Sequence, residues 1–158
     1  MKNLSKIGID RDKSAELGGK LNLLLANYQV FYTNLRGFHW NIKGEKFFEL
    51  HLKFEELYNN TILKIDEIAE RILTLGGVPA NAFSEYLRSS EIREVAYESD
   101  GRKAVESILG SFQVLLVMQR ELLEMSAEAG DEGTNALMSD YIREQEKLVW
   151  MLSAYLSK

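Results

Sequence analysis

The sequence predicts an all-α fold: a four-helix bundle with a long crossover between its second and third helices, the crossover carrying a short extra helix. Three observations point there. Apolar residues recur at three- to five-residue spacings over four long stretches, a helix period rather than a strand period. The chain has one proline and no cysteine in 158 residues, and 46% of it is hydrophobic, which suits a helical globular domain of ordinary size. The second and third periodic stretches are separated by about 25 residues, the length needed when those two helices run parallel.

Taken in order, residues 1–13 read as a short polar tail and 14–158 as one domain. Lys2, Lys6, Arg11 and Lys13 outweigh Asp10 and Asp12 in the tail. A first helix is predicted from Ser14 to about Phe38–Trp40, with Leu17, Leu21, Leu24, Leu25, Tyr28, Phe31, Tyr32 and Leu35 as its buried stripe. Asn41–Gly44 forms a turn short enough to make the next helix an antiparallel neighbour. That second helix carries Phe47, Leu50, Phe54, Leu57, Ile62, Ile65, Ile68, Ile72 and Leu75 on its apolar positions. Gly76-Gly77 with Val78-Pro79 ends it, glycine taking the left-handed cap and proline unable to continue. Asn81–Ser90 reads as the short crossover helix, and Ser99-Asp100 as the cap of the third long helix, Gly101–Ala129. Gly130 closes that helix and Asp131 opens the fourth, whose buried positions are Leu137, Met138, Tyr141, Ile142, Leu148, Val149, Leu152, Tyr155 and Leu156. Met118, Met125, Met138 and Met151 are expected to fill core.

The second helix also holds polar residues in a pattern of its own. At about 100° per residue, with His51 as zero, Glu55 falls near ~40°, Asp66 near ~60° and Glu70 near ~100°. All four share one face, yet at ~1.5 Å per residue His51 and Asp66 are about 22 Å apart along the axis. One chain therefore cannot bring His51/Glu55 and Asp66/Glu70 to one ion. Two copies packed antiparallel about a two-fold axis near Asn60–Thr61 can, and an isologous contact makes the site twice. His39, at the end of the first helix, is expected to reach the same place. Two imidazoles and three carboxylates suit ferrous iron, zinc or manganese. The alternative for the same residues is a solvated charged face with structural histidines.

The chain lacks the Glu-x-x-His pairs of di-iron carboxylate bundles, and the zinc-protease, phosphate-loop and dinucleotide motifs. A net charge of −5 argues against a globally basic nucleic-acid binder. No stretch approaches the ~20 apolar residues that span a bilayer. The first residues hold no apolar signal segment, and the absence of cysteine is compatible with a cytoplasmic setting. Trp40 is expected to pack, and Tyr58, on the metal-bearing face, to sit at a dimer interface.

H-W-x-I-x-G-x5-L-H-x3-E at His39–Glu55, followed by I-D-x-I-A-E-R-x3-L-G-x2-P at Ile65–Pro79, resembles both signatures of the Dps family, the mini-ferritins. The similarity of helix layout extends over nearly the whole chain. The resemblance implies a ferritin-like bundle and an inter-subunit ferroxidase centre, with His39, His51 and Glu55 from one subunit and Asp66 and Glu70 from its two-fold mate. Many members carry Asp at the position of Glu55. It further implies oxidation of Fe(II), with hydrogen peroxide preferred over oxygen, and storage of the Fe(III) mineral in a dodecamer built from two-fold dimers, protecting DNA and the cell from oxidative stress. Zinc is a second occupant of the same ligands. By the same resemblance Glu128 and Glu132 match acidic pore positions, while the next such position is Ala136; Glu128, Asp131 and Glu132 around a three-fold axis would make a carboxylate ring, or else cap helices. Trp40 gains a role in intercepting one-electron oxidants beside the centre. The short tail, diluted by Leu4, Ile7 and Ile9, predicts weak or absent DNA binding. A nucleoid protein that coats DNA is the alternative function.

Overall fold

The computed structural model describes residues 3–158, so Lys2 of the expected tail lies outside the described residues. The chain is all-α and forms α1 (Arg11–Asn41), α2 (Phe47–Thr74), α3 (Phe83–Ser89), α4 (Gly101–Glu128) and α5 (Glu132–Leu156). The first helix begins three residues before Ser14 because Asp10 caps it, its carboxylate accepting from the Lys13 amide at 3.0 Å. The segment before it is no loose tail. Leu4 and Asp10 form an antiparallel bridge, the Ser5 amide donates to the Ile9 carbonyl at 2.7 Å, and Ile9 is buried.

Two helix ends follow the glycine rule in full. After α2, Gly76 takes φ +89° and donates to the Leu73 carbonyl while Gly77 donates to that of Ile72. After α4, Gly130 takes φ +67° and donates to Ala127, and Asp131 donates to Ser126. Both are Schellman motifs. At the second, Asp131 at once caps α5 by accepting from the Thr134 amide at 3.0 Å. One residue thus ends one helix and starts the next, so α4 and α5 turn back on each other.

The crossover sets the topology. Gly101, at the start of α4, lies so close to Leu50 in the first turn of α2 that an added Cβ would come within 2.6 Å of Leu50 Cδ1. The Lys43 amide, in the α1–α2 turn, donates to the Ser99 carbonyl at 3.0 Å. At the other end, Arg71 near the end of α2 bonds Asp131 and Thr134 at the start of α5. Helices α2 and α4 therefore run parallel, and the chain between them travels the length of the bundle along α1. Three asparagines of α1 hold it there. Asn22 bonds the Val78 carbonyl and the Ala80 amide. Asn27 accepts from Ser90 Oγ and from the Glu91 and Ile92 amides. Asn34 bonds the Arg93 carbonyl and the Val95 amide.

The core lies between the long helices, with Leu21, Leu24, Tyr28, Phe31, Phe54, Ile68, Val105, Ile108, Leu122 and Met138 fully or almost fully buried. Four apolar positions depart from expectation. Ile62, Met151 and Tyr155 are exposed rather than buried, and Trp40, expected to pack, is 65% exposed, with the Arg36 guanidinium 5.3 Å from its ring. Apolar periodicity reports the polarity of the side chains on a helix face, and not whether the rest of the chain covers each of them.

Candidate metal centre

The last turn of α1 and the first turns of α2 bring both histidines together. Their rings stack at 3.8 Å between centroids and 11° between planes. Phe47, one turn before His51, stacks on its other side at 4.9 Å, and Tyr58 meets His39 edge-on at 5.3 Å. The backbone completes the arrangement. His39 Nδ1 lies 2.6 Å from the His51 carbonyl oxygen, and His51 Nδ1 lies 2.7 Å from that of His39. A carbonyl can only accept, so each Nδ1 carries the proton and donates. In a neutral imidazole that leaves the Nε2 lone pair of both rings free, the tautomer a metal ligand needs. The sequence placed His39 near His51; it gave no sign that each would fix the other's tautomer, nor that Phe47 would wall the pair.

Glu55 is half-buried one turn further along α2, on the ligand face with the histidines. The Tyr58 phenol is raised above its ordinary value by desolvation, with the neighbouring Glu55 carboxylate adding to the shift. Asp66 and Glu70 are exposed near the other end of α2. Hydrogen bonding to Asp66, and then that residue's negative charge, hold Glu70 above the usual carboxylate range. A like charge so close disfavours the ionised form of Glu70.

The structure thus gathers His39, His51 and Glu55 at one end of α2, and Asp66 with Glu70 towards the other. Among the described residues of one chain, no three such side chains gather closely enough to hold an ion. The ligand face has a second property. Exposed apolar side chains share it: Phe48 near ~60°, Leu52 near ~100°, Ile62 near ~20°, Leu63 near ~120° and Leu73 near ~40° on the scale that puts His51 at zero. The core-facing Phe54, Ile68 and Ile72 lie roughly on the opposite side of the helix, near ~−60° to ~−100°. The candidate acids Asp66 and Glu70 therefore sit among exposed apolar side chains, while α1 covers His51 through the stacked His39 ring.

The acidic turn divides differently from expectation. Glu128 and Glu132 are exposed beside the α4–α5 turn, but Asp131 points inward and cannot join a carboxylate ring. Its buried carboxylate accepts from Arg71 Nη2 at 2.6 Å and from the hydroxyl and amide of Thr134 at 2.5 and 3.0 Å. Arg71 lies flat over Gly133, where any Cβ would strike the guanidinium. Ala136 is exposed and supplies no acid at the third position.

Comparison with known proteins agrees with this architecture. The ferritin-like domain family matches residues 19–158. A DNA protection during starvation protein from Porphyromonas gingivalis is 45% identical over 157 residues, covering 99% of both chains. A second such protein, from Bacillus anthracis, is 43% identical over 87% of this chain and 94% of its own. The crystal structure of the Dps protein from Vibrio cholerae O1, described as a member of a broad superfamily of ferritin-like diiron-carboxylate proteins, superposes with a TM-score of 0.97 at 56% identity, over 99% of each chain. Likeness of this degree, sustained along the whole bundle and its crossover, makes the chain a member of the Dps family of ferritin-like proteins.

Proposed function

We propose that the chain is a ferroxidase whose centre is shared between two copies. Packed antiparallel about a two-fold axis near Asn60–Thr61, the apolar stripes of two α2 helices cover each other. His39, His51 and Glu55 then face Asp66 and Glu70 of the partner subunit, and the pair holds two such centres. The observation that carries this reading is the reciprocal bonding of the two histidines, which frees both Nε2 atoms on a face whose acids lie too far along the same helix to meet them.

Ferrous iron is the substrate. The imidazoles supply neutral nitrogen donors; Glu55 and the partner's Asp66 and Glu70 supply negative charge and bridging oxygens, a donor set that takes iron and also zinc. Two ferrous ions each give one electron to hydrogen peroxide; its O–O bond breaks, and with water the products are ferric oxyhydroxide and protons. Peroxide is consumed without a lone electron transfer to it, so no hydroxyl radical is released. The names of the relatives, with DNA protection in starvation, support a stress role of this kind.

In the same reading twelve subunits close a shell that stores the mineral, Glu128 and Glu132 line its ion entrance, and the protein works in the cytoplasm. The folded 3–10 segment, in which Lys6 is the one cation, argues for iron handling rather than DNA coating as the main task. Ferrous oxidation by peroxide, followed for the wild-type chain and for Asp66→Ala/Glu70→Ala, tests the centre. Loss of the fast phase is expected in the variant, and equal rates would exclude the assignment.

A further inference from the structure

At the middle of the bundle three helices contribute one polar side chain each. Tyr28 (α1), Gln119 (α4) and Gln145 (α5) are at most 2% exposed. Their hydrogen bonds close a ring. The Tyr28 hydroxyl donates to Gln119 Oε1, Gln119 Nε2 donates to Gln145 Oε1 at 2.7 Å, and Gln145 Nε2 donates to the Tyr28 oxygen at 2.6 Å. Facing helices of a bundle are where interior metal sites are built, and carboxylates are what build them. Here every oxygen of the ring accepts a hydrogen bond and none carries a charge.

The surroundings follow the same pattern. Burial holds the Tyr28 phenol far above its ordinary value, so it offers no phenolate. Tyr141 meets Tyr28 edge-on at 6.2 Å and donates its hydroxyl to Glu67 at 2.9 Å. Glu144 is paired with Lys64 at 3.0 Å, and the Lys64 ammonium, itself buried, lies 5.0 Å from the centre of the Tyr141 ring. The two nearby carboxylates are thus engaged, Glu67 by the Tyr141 hydroxyl and Glu144 by Lys64. A divalent cation entering this region would lose its water and gain only neutral, already occupied donors.

We infer that Gln119 and Gln145 are specificity-determining residues: as amides closing a neutral ring with Tyr28, they make the bundle interior reject divalent metal and leave the shared face without a competitor inside the subunit. The role of the shared face rests on the function proposed above; the rejection itself does not.

The test uses cobalt(II), which air does not oxidise at neutral pH, and the assembled full-length chain carrying Asp66→Ala/Glu70→Ala to silence the shared face. Adding Gln119→Glu and Gln145→Glu should create one further cobalt site per chain. The site should be visible in calorimetry, in the cobalt absorption bands, and as a cobalt-dependent rise in melting temperature. Gln119→Leu/Gln145→Leu, which breaks the ring equally, should add none; a gain there would show that packing rather than charge excludes the ion, and would overturn the inference. A folded glutamate variant with no added cobalt would overturn it, as would an anomalous cobalt peak inside the bundle while both glutamines are present. If the double variant is unfolded without metal, folding on addition of cobalt supports the inference. Failure to fold with cobalt, together with no added cobalt in Gln145→Glu alone, counts against it. Whether the shared face binds metal is read separately, from cobalt bound by the wild-type chain and lost in the silenced background.

Discussion

If each centre takes its histidines from one chain and its acids from another, two inactive chains should restore each other. Consider His51→Ala, which damages the histidine half, and Asp66→Ala/Glu70→Ala, which removes the acidic half. Each alone has no intact centre, because the half-sites of one α2 are about 22 Å apart and cannot meet. When the two variants pair, one centre of the dimer collects both defects and the other collects none. Equal amounts unfolded together and refolded pair at random, so about half of the dimers are mixed, and each mixed dimer holds one good centre of two. Peroxide-driven ferrous oxidation should recover to about one quarter of the wild-type rate. Mixing the folded variants for a time short of subunit exchange should give none. A mixture that stays inactive after refolding, with both chains shown by native mass to have co-assembled, would refute the shared centre. So would full activity in either variant alone.

Other consequences can be measured on stability. Asp131→Ala should cost roughly 3–5 kcal/mol in urea unfolding, since it strips the partner from Arg71 and the cap from α5; a loss under about 1 kcal/mol would mean that cap and ion pair are idle. Asn27→Ala should cost about 3 kcal/mol by orphaning the Glu91 and Ile92 amides, and should speed proteolysis within residues 75–100; unchanged cleavage would show the crossover is held by other means. Glu70→Gln should melt no lower than wild type at neutral pH in the absence of metal while losing cobalt binding. Glu70 is held above its ordinary value by Asp66, so the folded chain favours its protonated form, and stability from that preference falls as pH rises through the elevated value. A neutral amide removes that loss, and its advantage should vanish below about pH 4, where carboxylates protonate. A variant that melts lower at neutral pH would mean the Glu70 charge stabilises the fold instead.

Local chemistry explains what the sequence made legible. Asp100, Gly130 with Asp131, and Gly76-Gly77 act on backbone groups within five residues of themselves, so their identity suffices to place a helix end. The helix-face angles of His51, Glu55, Asp66 and Glu70 are equally local. Non-local facts stayed hidden. Nothing around Asn27 or Asn34 announces that their amides will hold a strand of crossover some sixty residues further on. Asp131 looked like one acid among three, because only the fold brings Arg71 to it. Trp40, Ile62, Met151 and Tyr155 show the other blind spot: a periodic apolar residue says that water is avoided, not whether the covering surface belongs to the same chain.

That ambiguity bears on the proposed centre itself. The side of α2 opposite the core carries both the ligands and an apolar stripe, with Phe48 and Leu63 81% and 66% exposed. Had the acids stood on the apolar face within one subunit, burying them would have required a partner charge inside the bundle. Placed on an outer face they are solvated in the single subunit, where the charge of Asp66 raises the Glu70 carboxyl. Pairing of the stripes and completion of the centre are then one event on the proposed reading. A lone subunit offers two imidazoles and one acid at one end and two acids at the other, and neither set alone satisfies an iron ion. Iron would be held and oxidised only where the partner is present, so the activity is tied to assembly by the helix geometry.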